Sequence, residues 1–150
     1  MEDKNINEIL YKEIDLIQSC INRMAKNSFS CKGWNLTLVA GVFALVPENI
    51  NKWYICIVIL CIDLCFWRLD SFFLLQEQKY RDKYEWVIKK RLDGNIDYLY
   101  DLNPYNENMN LIDKKRNLFK TAFSKTLLPM YGGIALLIII FIVIKSNGGI

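Results

Sequence analysis

The feature that most constrains this chain is an apolar run near its carboxyl terminus, LLPMYGGIALLIIIFIVI at residues 127–144. The run contains no charged side chain, and a helix of about 20 such residues crosses the ~30 Å hydrocarbon core of a bilayer. Two further runs are nearly as apolar: residues 33–47 have no charge, and residues 53–67 contain a single acid, Asp63. The three runs together predict an all-α membrane protein with three transmembrane helices.

Breaks between these runs set the predicted domain boundaries. No proline or glycine interrupts residues 6–32 or residues 53–93. We therefore expect the first two transmembrane helices to extend into the cytoplasm as an antiparallel helical hairpin. The predicted segments are a cytoplasmic amphipathic helix at 1–27, transmembrane helices at 28–47, 53–71 and 127–145, an external turn at 48–52, a cytoplasmic helical region at 72–126 with a loop at 94–110, and an external tail at 146–150.

Positive charges are distributed unevenly along the chain. Residues 1–32 contain five Lys or Arg and residues 68–125 contain twelve, whereas the 48–52 turn contains only Lys52 and a single lysine, Lys145, follows the third apolar run. Basic residues concentrate on the cytoplasmic side of membrane proteins. This asymmetry predicts an inner-membrane protein with a cytoplasmic amino terminus and an external carboxyl terminus.

Residue types that support catalysis or metal binding are scarce. The chain has no histidine, and its five cysteines show no Cys-x-x-Cys spacing. It also lacks a nucleophile elbow and a glycine-rich phosphate loop. We therefore expect no catalytic residue, no metal site and no cofactor, and we interpret the chain as a non-enzyme.

Four of the polar residues within the predicted transmembrane helices are candidates for a pore lining or for intramembrane contacts: Asn35, Thr37, Asp63 and Asp70. A carboxylate at that depth costs several kcal/mol unless it is protonated, paired or hydrated. One interpretation places Asp63 and Asp70 along a water-filled cation pathway in an oligomer. The alternative buries Asp63 against Asn35 or Thr37 and leaves Asp70 at the lipid headgroups.

Small residues recur along the first transmembrane helix, at Gly33, Thr37, Gly41 and Ala44. Spacings of three and four place them on one face, and small residues let helix backbones approach closely. We interpret Gly33, Gly41 and Ala44 as helix-packing positions. Their partner could be the second helix of the same chain or another subunit.

Two KKR clusters flank the predicted loop and form a candidate anion site, comprising Lys89, Lys90, Arg91, Lys114, Lys115 and Arg116. They could bind a nucleotide or oligonucleotide, with nearby tyrosines stacking on the bases. They could equally contact anionic lipid headgroups, or simply reflect the positive-inside rule.

Two stretches resemble a group of small bacterial multi-span membrane proteins. INRMAKNSFSCKGWNLTLVAGVFAL at 21–45 contains the pattern Arg-Met-x-x-Asn-Ser-Phe-x-x-Lys-Gly-Trp, and FWRLDSFFLLQEQKYRDKYEWV at 66–87 contains Phe-Trp-x-Leu-Asp. The chain departs from the group at Phe72, Phe73 and Gln78. The group is in turn similar to membrane effectors of nucleotide-signalled anti-phage defence systems.

The resemblance implies that the two stretches act together, facing each other across the hairpin. Lys32 or Arg23 would pair with Asp70, and Lys26 or Arg23 with Glu77. The implied set of coupling residues, which we call the collar, comprises Arg23, Lys32, Arg68, Asp70, Glu77 and Arg81.

These expectations combine into one functional prediction. We expect a homo-oligomeric effector that contacts the lipid bilayer and forms a channel or disrupts the membrane in defence. Its trigger would be a nucleotide or oligonucleotide signal, or a cytoplasmic nucleotide-producing enzyme. The alternative is a non-conducting membrane anchor or scaffold for a partner protein. A transporter is disfavoured because three helices without an internal repeat suit alternating access poorly.

Overall fold

The computed structural model describes residues 2–45, 52–109 and 116–146, and within these ranges the secondary structure is entirely helical. Two long helices dominate it. The elements are α1 (Glu2–Leu45), α2 (Lys52–Leu92), a 3-10 turn (Glu107–Met109), α3 (Leu118–Ala122), a π-helical turn (Leu128–Gly132) and α4 (Gly133–Ser146).

Helices α1 and α2 form an antiparallel hairpin. Glu13 contacts Arg91 and Asn35 contacts Asp63, so partner numbers fall on α2 as they rise on α1. At 1.5 Å per residue the 44 residues of α1 make a rod of roughly 66 Å, and α2 is nearly as long. The hairpin predicted from the absence of helix breakers is present.

The carboxyl end of α2 follows from its local sequence. Gly94 adopts φ 76°, a left-handed conformation that a residue without a Cβ adopts readily. Its N–H donates to Arg91 O, and the next N–H donates to Lys90 O, which satisfies two terminal carbonyls. Residues 93–106 are then irregular, in agreement with the predicted loop.

The hydrophobic core has two separate parts. Towards the amino terminus of α1, the buried side chains of Ile17, Ile21 and Val87 pack together, with half-buried Tyr84 against them. At the other end of the hairpin, a second cluster joins α1, α2 and α4. It comprises Cys56, Ile59 and Ile138, flanked by Val39, Val42, Ile55, Ile134 and Ile142. The second cluster therefore positions α4 on the hairpin.

The prediction of three transmembrane helices is wrong. Among the residues that the structure describes, no helix combines the length and the apolar character needed to cross a membrane. The 127–144 run is not one continuous α-helix. Its first part forms the π-helical turn, and α4, which begins at Gly133, has 14 residues and a length of roughly 21 Å. On α2 the apolar stretch is interrupted by Asp63, Arg68 and Asp70.

The predictions that depended on those helices are corrected with them. The inner-membrane location, the cytoplasmic amino terminus with external carboxyl terminus, and the classification as a membrane ion channel all required spanning helices, which the described residues do not provide. Residues 48–51 of the predicted turn at 48–52 and residues 147–150 of the predicted tail at 146–150 lie outside the described residues, as do Lys114 and Lys115.

Candidate functional site

A buried carboxylate, Asp70, joins three parts of the fold. It accepts hydrogen bonds from Ser28 Oγ at 2.5 Å and Tyr131 Oη at 2.9 Å, and it pairs with Lys32 Nζ at 2.6 Å. Asp70 and Tyr131 are fully buried, and Ser28 is nearly so. We call these four residues the polar junction.

The local sequence explains how the polar junction forms. Ser28 and Lys32 lie four residues apart on α1, so both face the same side of the helix, and Lys32 Nζ also donates to Ser28 Oγ at 2.9 Å. Asp70 lies opposite them on α2. Tyr131 comes from the π-helical turn, which begins beside Pro129, a residue with no N–H to donate.

An aromatic contact connects the polar junction to α3. The ring of Tyr131 stacks on Trp67, with centroids 6.2 Å apart, and Trp67 Nε1 donates to Ala122 O at 2.9 Å. Burial and the neighbouring Asp70 carboxylate raise the pKa of Tyr131, so this hydroxyl remains a donor. The polar junction thus binds α1, α2, α3 and the π-helical turn into one unit.

A second buried carboxylate, Asp63, lies deeper in the hairpin. It is fully buried and accepts a hydrogen bond from Asn35 Nδ2 at 2.8 Å. Among the described residues, neither Asp63 Oδ2 nor Asn35 Oδ1 has a hydrogen-bond partner. Burial raises the pKa of Asp63, opposed by the Asn35 hydrogen bond. The geometry follows the prediction of Asp63 against Asn35, whereas Thr37 Oγ1 bonds Gly33 O within α1.

An ion pair between Glu13 and Arg91 closes the opposite end of the hairpin. Arg91 Nε and Nη2 each donate to one oxygen of fully buried Glu13 at 2.9 Å, a bidentate arrangement. Tyr100 N–H donates to the same carboxylate at 3.1 Å, and Arg91 Nη1 donates to Asn95 O and Asp97 O. This network holds the 93–106 loop against both helices.

Two more cations anchor the segments that follow α2. Lys83, fully buried, donates to Asn103 O at 2.9 Å and lies 3.6 Å from Asp101. Burial lowers the pKa of Lys83, with Asp101 opposing the shift. Arg116 forms a bidentate pair with Asp82 at 2.6 and 2.7 Å. Both cations therefore hold irregular backbone on the hairpin.

The structure separates the predicted collar. Lys32 and Asp70 form an ion pair, whereas within the described ranges Arg23 donates to Cys20 Sγ at 3.8 Å and to no residue of α2. Glu77 pairs with Arg81 on its own helix, and Arg68 is exposed. The continuous collar is therefore reduced to a single pair across the hairpin.

The predicted anion site is also divided. Arg91 and Arg116 are engaged by carboxylates, whereas Lys89 is exposed and Lys90 half-buried. Neither lysine has an ion pair within the described ranges. Of the predicted packing positions, Gly33 and Ala44 are exposed and Gly41 is half-buried.

Sequence reasoning missed Glu13 and Tyr131 as site residues. Both residues could have been found from the sequence. Glu13 lies four residues before Ile17, on the same face of α1, and an acid on a buried face implies a buried partner. Tyr131 has the single hydroxyl in the 127–144 run. Neither signal identifies the partner, which comes from elsewhere in the chain.

Comparisons with known proteins found no match for this chain. The chain matches no protein-family model, no curated protein and no solved structure. The resemblance drawn from residues 21–45 and 66–87 therefore stays a prediction.

Proposed function

We propose that this chain is a self-assembling helical scaffold, in which copies associate through the half of the hairpin that carries α4. We call this half the apolar end; it comprises residues 29–45, 53–72 and 118–144. The observation that carries the proposal is the density of large apolar side chains exposed there. The polar junction would hold each copy in the geometry required for assembly.

Exposed apolar area at this end reaches the upper part of the range of about 300–600 Å² that the largest apolar patch of a monomer covers, and patches of that size are often functional. Seven apolar side chains of α4 are about half exposed: Leu136, Leu137, Ile139, Ile140, Phe141, Val143 and Ile144. At about 75 Å² each, half the area of a large side chain, they expose on the order of 500 Å². Monomers rarely expose contiguous apolar patches of more than a few hundred Å². The exposed rings of Phe29, Trp34 and Phe43 on α1 add to that area.

The small residues of α1 support a second copy as the partner. A Cβ built on Gly33 or Gly41 meets no atom within 4 Å, so the fold of one chain makes no use of their small size. Each glycine costs a helix interior roughly 0.5–1 kcal/mol relative to alanine. Close approach of another helix would make use of this surface. The same face also carries Thr37 and Ala44, both exposed.

A scaffold of this kind agrees with the role implied by the resemblance. In nucleotide-signalled defence systems an effector opens or assembles when its signal arrives. The trigger in this proposal, a nucleotide or a partner protein, would act on the end of the hairpin that carries Glu13 and Arg91. That part of the proposal rests on the resemblance alone.

The test is the oligomeric state of the full-length protein, measured by native mass spectrometry from a mild detergent. We expect wild type to be oligomeric and both Gly33→Leu and Gly41→Leu to shift it towards monomer. The shift follows from lost backbone approach between copies, because a Cβ at either position meets no atom of the described residues within 4 Å. The matched control is Ser19→Leu, another exposed small residue of α1 that lies outside the apolar end.

Two results would reject self-assembly. The first is a monomeric wild type, and the second is an oligomer that all three variants leave unchanged. Flotation with phosphatidylcholine vesicles then identifies the alternative. A monomer that floats with vesicles would mean that the apolar end contacts lipid rather than a second copy.

A further inference from the structure

A groove of about 420 Å³ lies between α2 and α3. Its size falls within the range of pockets that bind small molecules. Its walls are formed by Leu64, Trp67, Arg68, Ser71, Leu118, Phe119, Ala122 and Phe123. The groove lies within the apolar end, but neither Gly33 nor Gly41 contributes to it, so the two variants that test self-assembly leave its lining unchanged.

The groove has apolar walls and a single charged group, Arg68. Its other polar side chain, Ser71, is already engaged because Ser71 Oγ donates to Trp67 O at 2.6 Å. Arg68 is exposed and forms no ion pair or hydrogen bond within the part of the chain that the structure describes. A guanidinium presents several donors in a fixed plane that matches a carboxylate. The groove is therefore complementary to an anion with an apolar tail.

Aromatic contacts hold the walls of the groove in place. Trp67 is fixed by its bond to Ala122 O and by its stack on Tyr131. The rings of Phe123 and Trp67 form a T-shaped pair with centroids 5.6 Å apart, and the ring centroids of Phe119 and Phe123 are 4.9 Å apart. Walls that are formed before a ligand arrives reduce the entropic cost of binding.

The volume of the groove limits the size of the apolar ligand that it can hold. At about 30 Å³ per heavy atom, the volume share of one water molecule, 420 Å³ holds roughly 14 heavy atoms. Dodecanoate has 12 carbons and two oxygens. Along α2 the lining residues extend from Leu64 to Ser71, roughly 10 Å, which is shorter than a fully extended chain of twelve carbons, so the acyl chain would bend across the groove towards α3.

We propose that this groove binds a single-chain fatty acid of about twelve carbons. The carboxylate accepts hydrogen bonds from Arg68, and the acyl chain packs on Trp67, Phe119 and Phe123. Because Trp67 stacks on Tyr131 of the polar junction, two rings, those of Trp67 and Tyr131, separate the bound chain from the buried Asp70.

The experiment is equilibrium dialysis of radiolabelled dodecanoate against the full-length protein held in an amphipathic polymer, with polymer alone as background. We expect saturable binding of one molecule per chain. Arg68→Gln should weaken it about ten-fold, the low end for a hydrogen bond between charged groups at an exposed position. Ala122→Leu, which narrows the groove, should weaken dodecanoate and dodecanol alike.

Two comparisons separate this site from general apolar adsorption. Arg81→Gln removes an exposed guanidinium elsewhere on α2 and should leave dodecanoate binding unchanged. Uncharged dodecanol should bind wild type and Arg68→Gln equally. Non-saturable uptake, or equal dodecanoate affinity in wild type and Arg68→Gln, would overturn the proposal. Both arginine variants change exposed side chains, and circular dichroism checks that they retain the fold.

Discussion

Replacing Asp63 by asparagine tests whether a buried carboxylate limits the stability of this hairpin. In the structure, Asp63 Oδ2 and Asn35 Oδ1 both lack a donor. A protonated Asp63 could supply that donor through its own O–H, and asparagine at position 63 could supply it through N–H at every pH. The variant therefore mimics the protonated form.

The expected gain follows from the cost of a buried acceptor without a partner. Each such group costs about 1–3 kcal/mol. We expect Asp63→Asn to raise the free energy of unfolding by about 2 kcal/mol at pH 8.

The dependence on pH has a definite sign. Because burial raises the pKa of Asp63 above its ordinary value of 3.8, the folded chain retains this proton where the unfolded chain has lost it. Wild-type stability should then fall as the pH rises from about 4 to the folded-state pKa, and level off above it. Asp63→Asn should lack this contribution, so the difference between the two proteins grows with pH.

Urea denaturation followed by circular dichroism from pH 4 to pH 9 measures this difference. Asp15→Asn, a change at an exposed carboxylate of α1, is the control and should follow wild type. The reasoning fails if wild type and Asp63→Asn give parallel profiles. It also fails if the variant is less stable at pH 8.

Two further predictions concern the other buried networks. Glu13→Gln should lower the free energy of unfolding by about 3 kcal/mol in urea denaturation, because Arg91 would keep its buried charge without a charged partner. The control is Glu8→Gln, which changes an exposed ion pair and should have the stability of wild type. Spectrophotometric titration should show that one of the eight tyrosines ionises only on unfolding. Tyr131→Phe should remove that late step, and its persistence in the variant would contradict the assignment.

The sequence alone was sufficient to predict the long hairpin. Uninterrupted stretches without proline or glycine, and apolar residues such as Ile17 and Ile21 at helical spacing, are properties of near neighbours. The loop after Gly94 could be predicted for the same reason, because a left-handed turn depends on the residue that adopts it.

The secondary structure of the 127–144 run depended on tertiary structure. Composition describes how apolar a segment is, but it does not determine whether one continuous helix forms. Pro129 disfavours a regular α-helix in the first part of the run, and the hydrogen bond from Tyr131 to Asp70 stabilises a π-helical turn there. The membrane prediction failed at this point because it treated apolar length as helix length.

The candidate site shows the same division. Asp63 and Asp70 are seven residues apart, which places them on one face of α2, and the resemblance put either Lys32 or Arg23 opposite Asp70. Only the folded chain decided that Tyr131 completes the junction and that Asp63 keeps an unpartnered oxygen. The physical reason is range: helix formation depends on residues a few positions apart, whereas buried charges are paired by residues brought together from distant parts of the chain.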